Sequence, residues 1–193
     1  MKPTFAGHRV ATLILVCTLA LWLVIEFRQA LNRRAEATST DRGSLAFLRV
    51  CVLVGALLAA FASRVTAAAF PYGPFIFGIS LAVAWAGIGL RWWAFRTLGR
   101  YFTFTVMTSA NQPVITNGPY RFVRHPSYTG LLLIIAGIGF NYGNWLSLAS
   151  LVFFPLIGFV YRIRVEEAAL AATLGEAYTS YATGRKRLIP FVW

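Results

Sequence analysis

Negative charge is scarce in this chain: six acidic residues stand against 18 lysines and arginines in 193 positions. Charge of either sign makes up 12% of the residues, about half of what soluble domains carry. With 58% hydrophobic residues, such a surface cannot be kept in water, and the chain falls in the integral-membrane class. Histidine and cysteine are nearly missing, two of each, and no cluster of them has metal-ligand spacing. Cys17 and Cys51 both lie inside apolar runs and read as small buried hydrophobes, not as a disulfide. No Walker motif, no Gly-x-Gly-x-x-Gly behind a strand and no Gly-x-Ser-x-Gly elbow occurs, so P-loop, Rossmann and α/β-hydrolase sites are unsupported. The spans carry almost no midplane charge, which argues against a transporter. The net charge of +12 does not imply nucleic acid. The basic residues flank apolar spans, where membrane topology and anionic headgroups account for them.

What is present is a series of apolar runs. A spanning helix needs about 20 apolar residues, and segments 9–27, 45–66 and 73–95 meet that length. The first run, Val10 to Ile25, has no small-residue cleavage site directly after it and reads as a retained span. Arg49 and Arg91 lie near span ends, where they can snorkel. A shorter run, Leu131 to Phe140, ends in the turn Asn141-Tyr142-Gly143-Asn144. Trp145 to Val160 returns as a fifth helix, predicted to run on through Arg162–Leu174 to a C-cap at Gly175. Tyr178 and Tyr181 share one helical face before Gly184, and residues 185–193 read as an extended strap with basic and aromatic anchors.

With the N-terminus outside, 14 lysines and arginines fall on the inner side and only Lys2, Arg9 and Arg64 on the outer side. The expectation is therefore an all-α bundle of five transmembrane helices with a cytoplasmic C-terminus. Residues 1–193 form one membrane domain: three spans over 1–95, then a half over 96–193 with a hairpin at about 128–160. Both polar segments, 96–130 and 161–193, then share the cytoplasmic face.

Two polar clusters ask for a chemical reason. One is Gly118–Gly130, basic and turn-forming, with His125 between Arg124 and Pro126. His125 reads either as a cap for the helix that starts at Pro126 or as a ligand contact at that helix N-terminus. Tyr120 and Tyr128 fit interfacial anchoring equally well. The other cluster is Glu166-Glu167, the only adjacent acidic pair. Arg162 and Glu166 are i and i+4 neighbours, and Arg164 and Glu167 are three apart, so two helix salt bridges are the plain reading, each worth about 0.5 kcal/mol or less.

Taken in order, Arg124-His125-Pro126-Ser127-Tyr128-Thr129-Gly130, the short hairpin, Glu166-Glu167-Ala168-Ala169-Leu170, Leu174-Gly175-Glu176-Ala177-Tyr178 with Tyr181, and Leu188-Ile189-Pro190-Phe191 resemble the isoprenylcysteine carboxyl methyltransferase family. The resemblance covers roughly 100–193 and implies an S-adenosylmethionine-dependent methyltransferase of prokaryotic type without a Rossmann domain. Its cofactor would lie between the cytoplasmic loop and the C-terminal helix. Cofactor contacts carried over are Gln112, Pro113, Val114, Ile115, Tyr120, His125, Pro126, Ser127, Tyr128 and Glu166. Gln112 stands where eukaryotic members have a histidine, and the family's upstream glutamine falls near Thr105, which is not carried over. Arg162 matches the position facing the substrate carboxylate, as a catalytic and substrate-binding residue; no metal is implied.

The implied chemistry suits the composition. Methyl transfer from a sulfonium needs alignment and exclusion of water. A carboxylate acceptor is already ionised at pH 7, so few bases are required, and Arg162 is able to orient it bidentately. The implied partners are the bilayer and a lipophilic or lipidated acceptor entering between helices, in a bacterial or archaeal cell membrane. Gly78, Gly87 and Gly89 would permit close helix approach or a lateral gap. Methylation of a phospholipid amine or small thiol, a non-catalytic scaffold or transporter, and a sterol-reductase-like activity are the other readings.

Overall fold

The computed structural model describes residues 9–31, 38–104, 106–109, 112–190 and 193; Lys2, the Asn32-Arg33-Arg34 run, Thr105 and Phe191 lie outside them. The described chain is mostly helical: α1 Arg9–Ala30, α2 Ser44–Ala62, α3 Pro74–Leu98, α4 Pro126–Phe140, α5 Trp145–Leu174 and α6 Glu176–Thr183. A two-residue antiparallel ladder joins β1, Thr38–Ser39, to β2, Met107–Thr108. Four of the helices, α1, α2, α3 and α5, are long and apolar enough to cross a membrane, and the chain is a multi-pass membrane protein.

α4 has only 15 residues, about 22 Å at 1.5 Å per residue, short of a hydrocarbon core of about 30 Å. It is shielded by its neighbours: Ile134, Ile135, Gly130 and Gly137 are buried. The contact with α3 is made backbone to backbone through glycine. A Cβ on Gly87 would lie 2.5 Å from the Gly130 carbonyl oxygen, and one on Gly137 would lie 2.8 Å from that of Ser80. Gly78 and Gly89 have nothing within 4 Å of such a Cβ, so of the three glycines singled out in this span only Gly87 serves close approach. Gly87→Ala is expected to cost about 1–3 kcal/mol by overpacking, with Gly89→Ala near neutral; comparing their thermal unfolding in detergent checks this.

The turn segments at one end of the bundle interlock. Asn144 is the N-cap of α5: its side-chain oxygen accepts from the Leu146 and Ser147 amides at 3.0 and 3.1 Å, and its Nδ2 donates to the Val65 carbonyl at 2.9 Å. Tyr72 donates to Asn141 at 2.7 Å. α5 then runs unbroken for 30 residues, through an internal Pro155, to Gly175 at φ 55°, a left-handed position that favours glycine. Its length of about 45 Å carries Arg162 and Glu166 beyond the apolar span.

Two expectations are corrected here. Arg91 does not snorkel; it is 4% exposed and forms a bidentate ion pair with Glu26 of α1, while its Nη1 donates to the Ser127 carbonyl at 2.9 Å. A guanidinium held in the interior needs such a carboxylate, because a buried charge left uncompensated is strongly destabilising. Cys17 lies exposed on α1, whereas Cys51 is buried. Ala11 and Thr18 are the fully buried residues of α1, with Glu26 reaching in to Arg91, so most of its apolar surface is left for lipid.

Candidate functional site

At the end of the bundle opposite Asn144, three segments meet. The first is the turn leading into α4. Pro126 takes the first helical position, where its missing N–H costs nothing, and His125 occupies the N-cap. The imidazole does not cap. It turns towards α5, with Nε2 3.2 Å from Glu167 Oε1, and stacks on Tyr128. The second segment is the tail. The Arg124 and His125 amides donate to the Lys186 and Arg187 carbonyls at 2.8 and 2.9 Å, and Thr129 Oγ1 donates to the Leu188 carbonyl at 2.7 Å. Leu188 is buried in the core, so residues 185–188 are stitched into the protein and are more than an interfacial strap.

The third segment is α5, and its charges do not pair as their spacing suggested. Arg162–Glu166 and Arg164–Glu167 are not ion pairs; each acid serves distant partners. Glu167 receives Arg124 Nη1 at 2.8 Å, Arg187 Nε at 2.9 Å and the His125 ring. Glu166 accepts the Tyr128 hydroxyl at 2.8 Å. Arg162 donates from Nε to the Tyr128 oxygen at 2.9 Å, from Nη1 to Asp41 at 2.7 Å and Ser44 at 2.9 Å, and from Nη2 to the Phe104 carbonyl. Four of the five guanidinium N–H groups are thereby spent, which rules out the expected bidentate grip on an incoming carboxylate in this state. Surface i,i+4 pairs are worth only tenths of a kcal/mol, and buried, geometrically good partners displace them.

Asp41 is the acid that the sequence did not single out. Burial alone would raise its pKa, but hydrogen bonds from the Leu45 amide, Arg162, the Val106 amide and Ser44 outweigh this and hold the carboxyl below its ordinary 3.8. Stability from this network is present above that value and lost as pH falls through the depressed one.

These side chains border a hollow with about 100 Å³ of room for water-sized molecules. Gln112, Pro113, Val114, Ile115 and Tyr120 line one side, and His125, Ser127, Tyr128, Arg162 and Glu166 another. Pro126 is not on the wall; it is fully buried in the first turn of α4. Leu170, Leu174 and Tyr178 add an apolar flank. The Tyr178 hydroxyl and Arg124 Nε are buried with no hydrogen-bond partner. Burial, and then the nearby Glu167 and Glu166 charges, push the Tyr178 pKa upward, so the hydroxyl remains a donor. A second hollow, with about 370 Å³ of such room, lies among α1, α2, α3 and α4, lined by Trp22, Leu48, Val52, Leu53 and Leu131 and also by Arg49 and the Glu26–Arg91 pair. The two hollows share Phe102, Thr103, Tyr128 and Arg162. Among the described residues no group of three His, Cys, Asp or Glu is arranged to hold a metal.

Residues 80–172, from α3 to the end of the Arg162–Glu167 cluster, match the model of the isoprenylcysteine carboxyl methyltransferase (ICMT) family. Over just under half of its length the chain resembles that family. It is 33% identical over 126 residues to a protein-S-isoprenylcysteine O-methyltransferase of Schizosaccharomyces pombe, covering 61% of this chain and 52% of that protein. To isoprenylcysteine O-methyltransferase B of Arabidopsis thaliana it is 31% identical over 118 residues, covering 60% and 59%. The chain thus spans between half and three-fifths of these relatives. The solved eukaryotic intramembrane Ras methyltransferase ICMT superposes with a TM-score of 0.60 at 24% identity, over 75% of this chain and 52% of that one, and shares the fold. The family match includes Arg91, Tyr128, Arg162 and both glutamates but not Asp41, α6 or the tail.

Proposed function

We propose that this chain is a member of that family, a membrane methyltransferase that uses S-adenosylmethionine to esterify the carboxylate of an isoprenylcysteine-like or otherwise apolar acceptor. The observation that carries the reading is the meeting, at Arg162 and Tyr128, of a hollow bordered by His125, Arg124 and Glu166 with a more apolar one, whose wall nonetheless carries Arg49 and the Glu26–Arg91 pair. An amphiphile suits the two hollows, with its tail among α1, α2 and α3 and its carboxylate at the junction. The names borne by the yeast and plant relatives support the same chemistry.

The residues present fit the donor. The unpartnered Arg124 Nε and Tyr178 hydroxyl and the Glu166 carboxylate suit the charged and hydroxyl groups of a zwitterionic nucleoside. Val114, Ile115, Leu170 and Leu174 suit an aromatic base. When bound, S-adenosylmethionine supplies a methyl group on an electrophilic sulfonium. Arg162, held through Tyr128, Asp41 and Phe104, orients the acceptor carboxylate through its remaining N–H. Since that carboxylate is ionised at neutral pH, no side chain has to take a proton. Alignment and exclusion of water are worth about 7–11 kcal/mol in favourable cases.

In this reading α4 is a fifth, tilted span, the N-terminus lies outside and the site faces the cytoplasm of a bacterial or archaeal cell, following the distribution of basic residues. Calorimetric titration of the detergent-solubilised protein with S-adenosylhomocysteine tests the cofactor: saturable binding is expected, weakened at least about tenfold by Glu166→Ala or His125→Ala, a loss of about 1.4 kcal/mol. Absence of binding to the wild type would overturn the proposal. Methylation of an S-farnesylcysteine carboxylate is expected to be nearly flat with pH around neutrality. A rate rising steeply with pH would point instead to an amine or thiol acceptor, which has to lose a proton first.

A further inference from the structure

Asp41 lies outside the matched region, in the short loop before α2, yet it makes the one ion pair that Arg162 has among the described residues. Its carboxylate is a fully built acceptor. Oδ2 takes the Leu45 amide at 3.1 Å, and Oδ1 takes Arg162 Nη1 at 2.7 Å, the Ser44 hydroxyl at 3.0 Å and the Val106 amide at 3.3 Å. Ser44 in turn receives the second Nη1 hydrogen of Arg162. The same loop is tied to the roof of the first hollow: the Thr40 amide donates to the Val106 carbonyl at 2.9 Å, and β1 pairs with β2. With four hydrogen bonds and 14% side-chain exposure, Asp41 is not an anion awaiting displacement by substrate.

We propose that Asp41 is a positioning residue for methyl transfer, acting through Arg162; the inference rests on the carboxylate-acceptor reading above. Asp41 and Ser44 fix the plane of the guanidinium by holding both Nη1 hydrogens. Arg162, which with Tyr128 borders both hollows, is left one Nη2 hydrogen for an acceptor. Asp41 also compensates part of the Arg162 charge. A carboxylate held by a fully uncompensated, bidentate arginine gives up nucleophilicity to that grip. Held through one N–H of a guanidinium already paired, it keeps a lone pair for the methyl group. Asp41 thus trades binding strength for reactivity, which predicts a particular split in the kinetics.

The test compares wild type, Asp41→Asn and Asp41→Glu in detergent. It reads S-adenosylhomocysteine affinity by calorimetry, and kcat and KM with an S-farnesylcysteine acceptor. Asp41→Asn is expected to lower kcat at least tenfold, with KM unchanged or lower and S-adenosylhomocysteine affinity within twofold of wild type. Asp41→Glu, which restores the charge, is expected to recover a substantial part of kcat. A kcat for Asp41→Asn within twofold of wild type overturns the proposal and leaves the methyltransferase reading standing. Parallel loss of cofactor affinity and kcat in both variants also overturns it, because that is the mark of a merely structural loop. A wild type that binds S-adenosylhomocysteine but methylates no carboxylate acceptor overturns the reading of the acceptor, and the role of Asp41 with it. Should Asp41→Asn fail to fold, Ser44→Ala removes the other Nη1 partner and is expected to show the same split at smaller size; an unchanged kcat there overturns the proposal.

Discussion

Arg162→Lys is expected to abolish most turnover, by about a hundredfold or more, while S-adenosylhomocysteine binding changes only a fewfold. The guanidinium joins four partners from three parts of the chain: Tyr128 on α4, Asp41 and Ser44 at the start of α2, and the Phe104 carbonyl in the loop that roofs the first hollow. A lysine ammonium has three donors on a flexible stem and cannot meet four partners in one plane. It keeps the charge but loses the geometry, and displacement of a reacting group by about 1 Å is enough for a loss of that size. Because a lysine still neutralises Asp41, the fold is expected to survive. Single-turnover methylation beside calorimetry with S-adenosylhomocysteine separates the two effects. Equal losses in binding and turnover would reject the separation of Arg162 from the cofactor.

The second large effect is on stability. Glu167→Ala is expected to cost about 3 kcal/mol, the lower end of what removing one partner of a buried ion pair does. Glu167 is 12% exposed and holds Arg124, which is 13% exposed, together with the His125 ring and Arg187. Removing it leaves the Arg124 and Arg187 guanidiniums beside one another without the carboxylate that both now share. The value stays at the lower end because the Arg187 side chain is 32% exposed and keeps part of its hydration. The same change frees the tail, since Arg187 and the pairing of residues 124–125 with 186–187 lie beside it. Unfolding in detergent gives the energy, and amide exchange at Lys186–Leu188 the location. A cost below about 1 kcal/mol would mean that Glu167 is no more than a surface pair.

The helices were legible because lipid and caps both write local signals. Asn144 before an apolar run and Gly175 after a helix-forming stretch mark the ends of α5 from neighbouring residues alone. The residues around the first hollow were legible as a set through the ordered motifs between Arg124 and Tyr181. Their pairing was not. Arg162 sits one turn from Glu166, and nothing in that spacing says that an aspartate 121 positions away makes the ion pair. The same holds for Arg91, whose partner Glu26 lies on a helix with hardly any interior face. Tertiary packing selects such partners by depth and direction, which a one-dimensional pattern does not contain. One local signal was there to be read: Asp41 three residues before Ser44 is a helix-entry pattern, and it stands at the start of the second span.

α5 crosses the apolar layer and presents Arg162, Glu166 and Glu167 as one continuous rod. Adding a single residue between Asn144 and Arg162 would swing all three through about 100° and lift them about 1.5 Å, away from Tyr128 and Asp41. Lengthening is therefore closed to α5 as a means of matching a thicker host bilayer. Adaptation to different membranes has to be made elsewhere, and the first turns of α1, ahead of Trp22 and the Glu26 that pairs with Arg91, are the stretch free to drift in length and sequence while α5 stays in register.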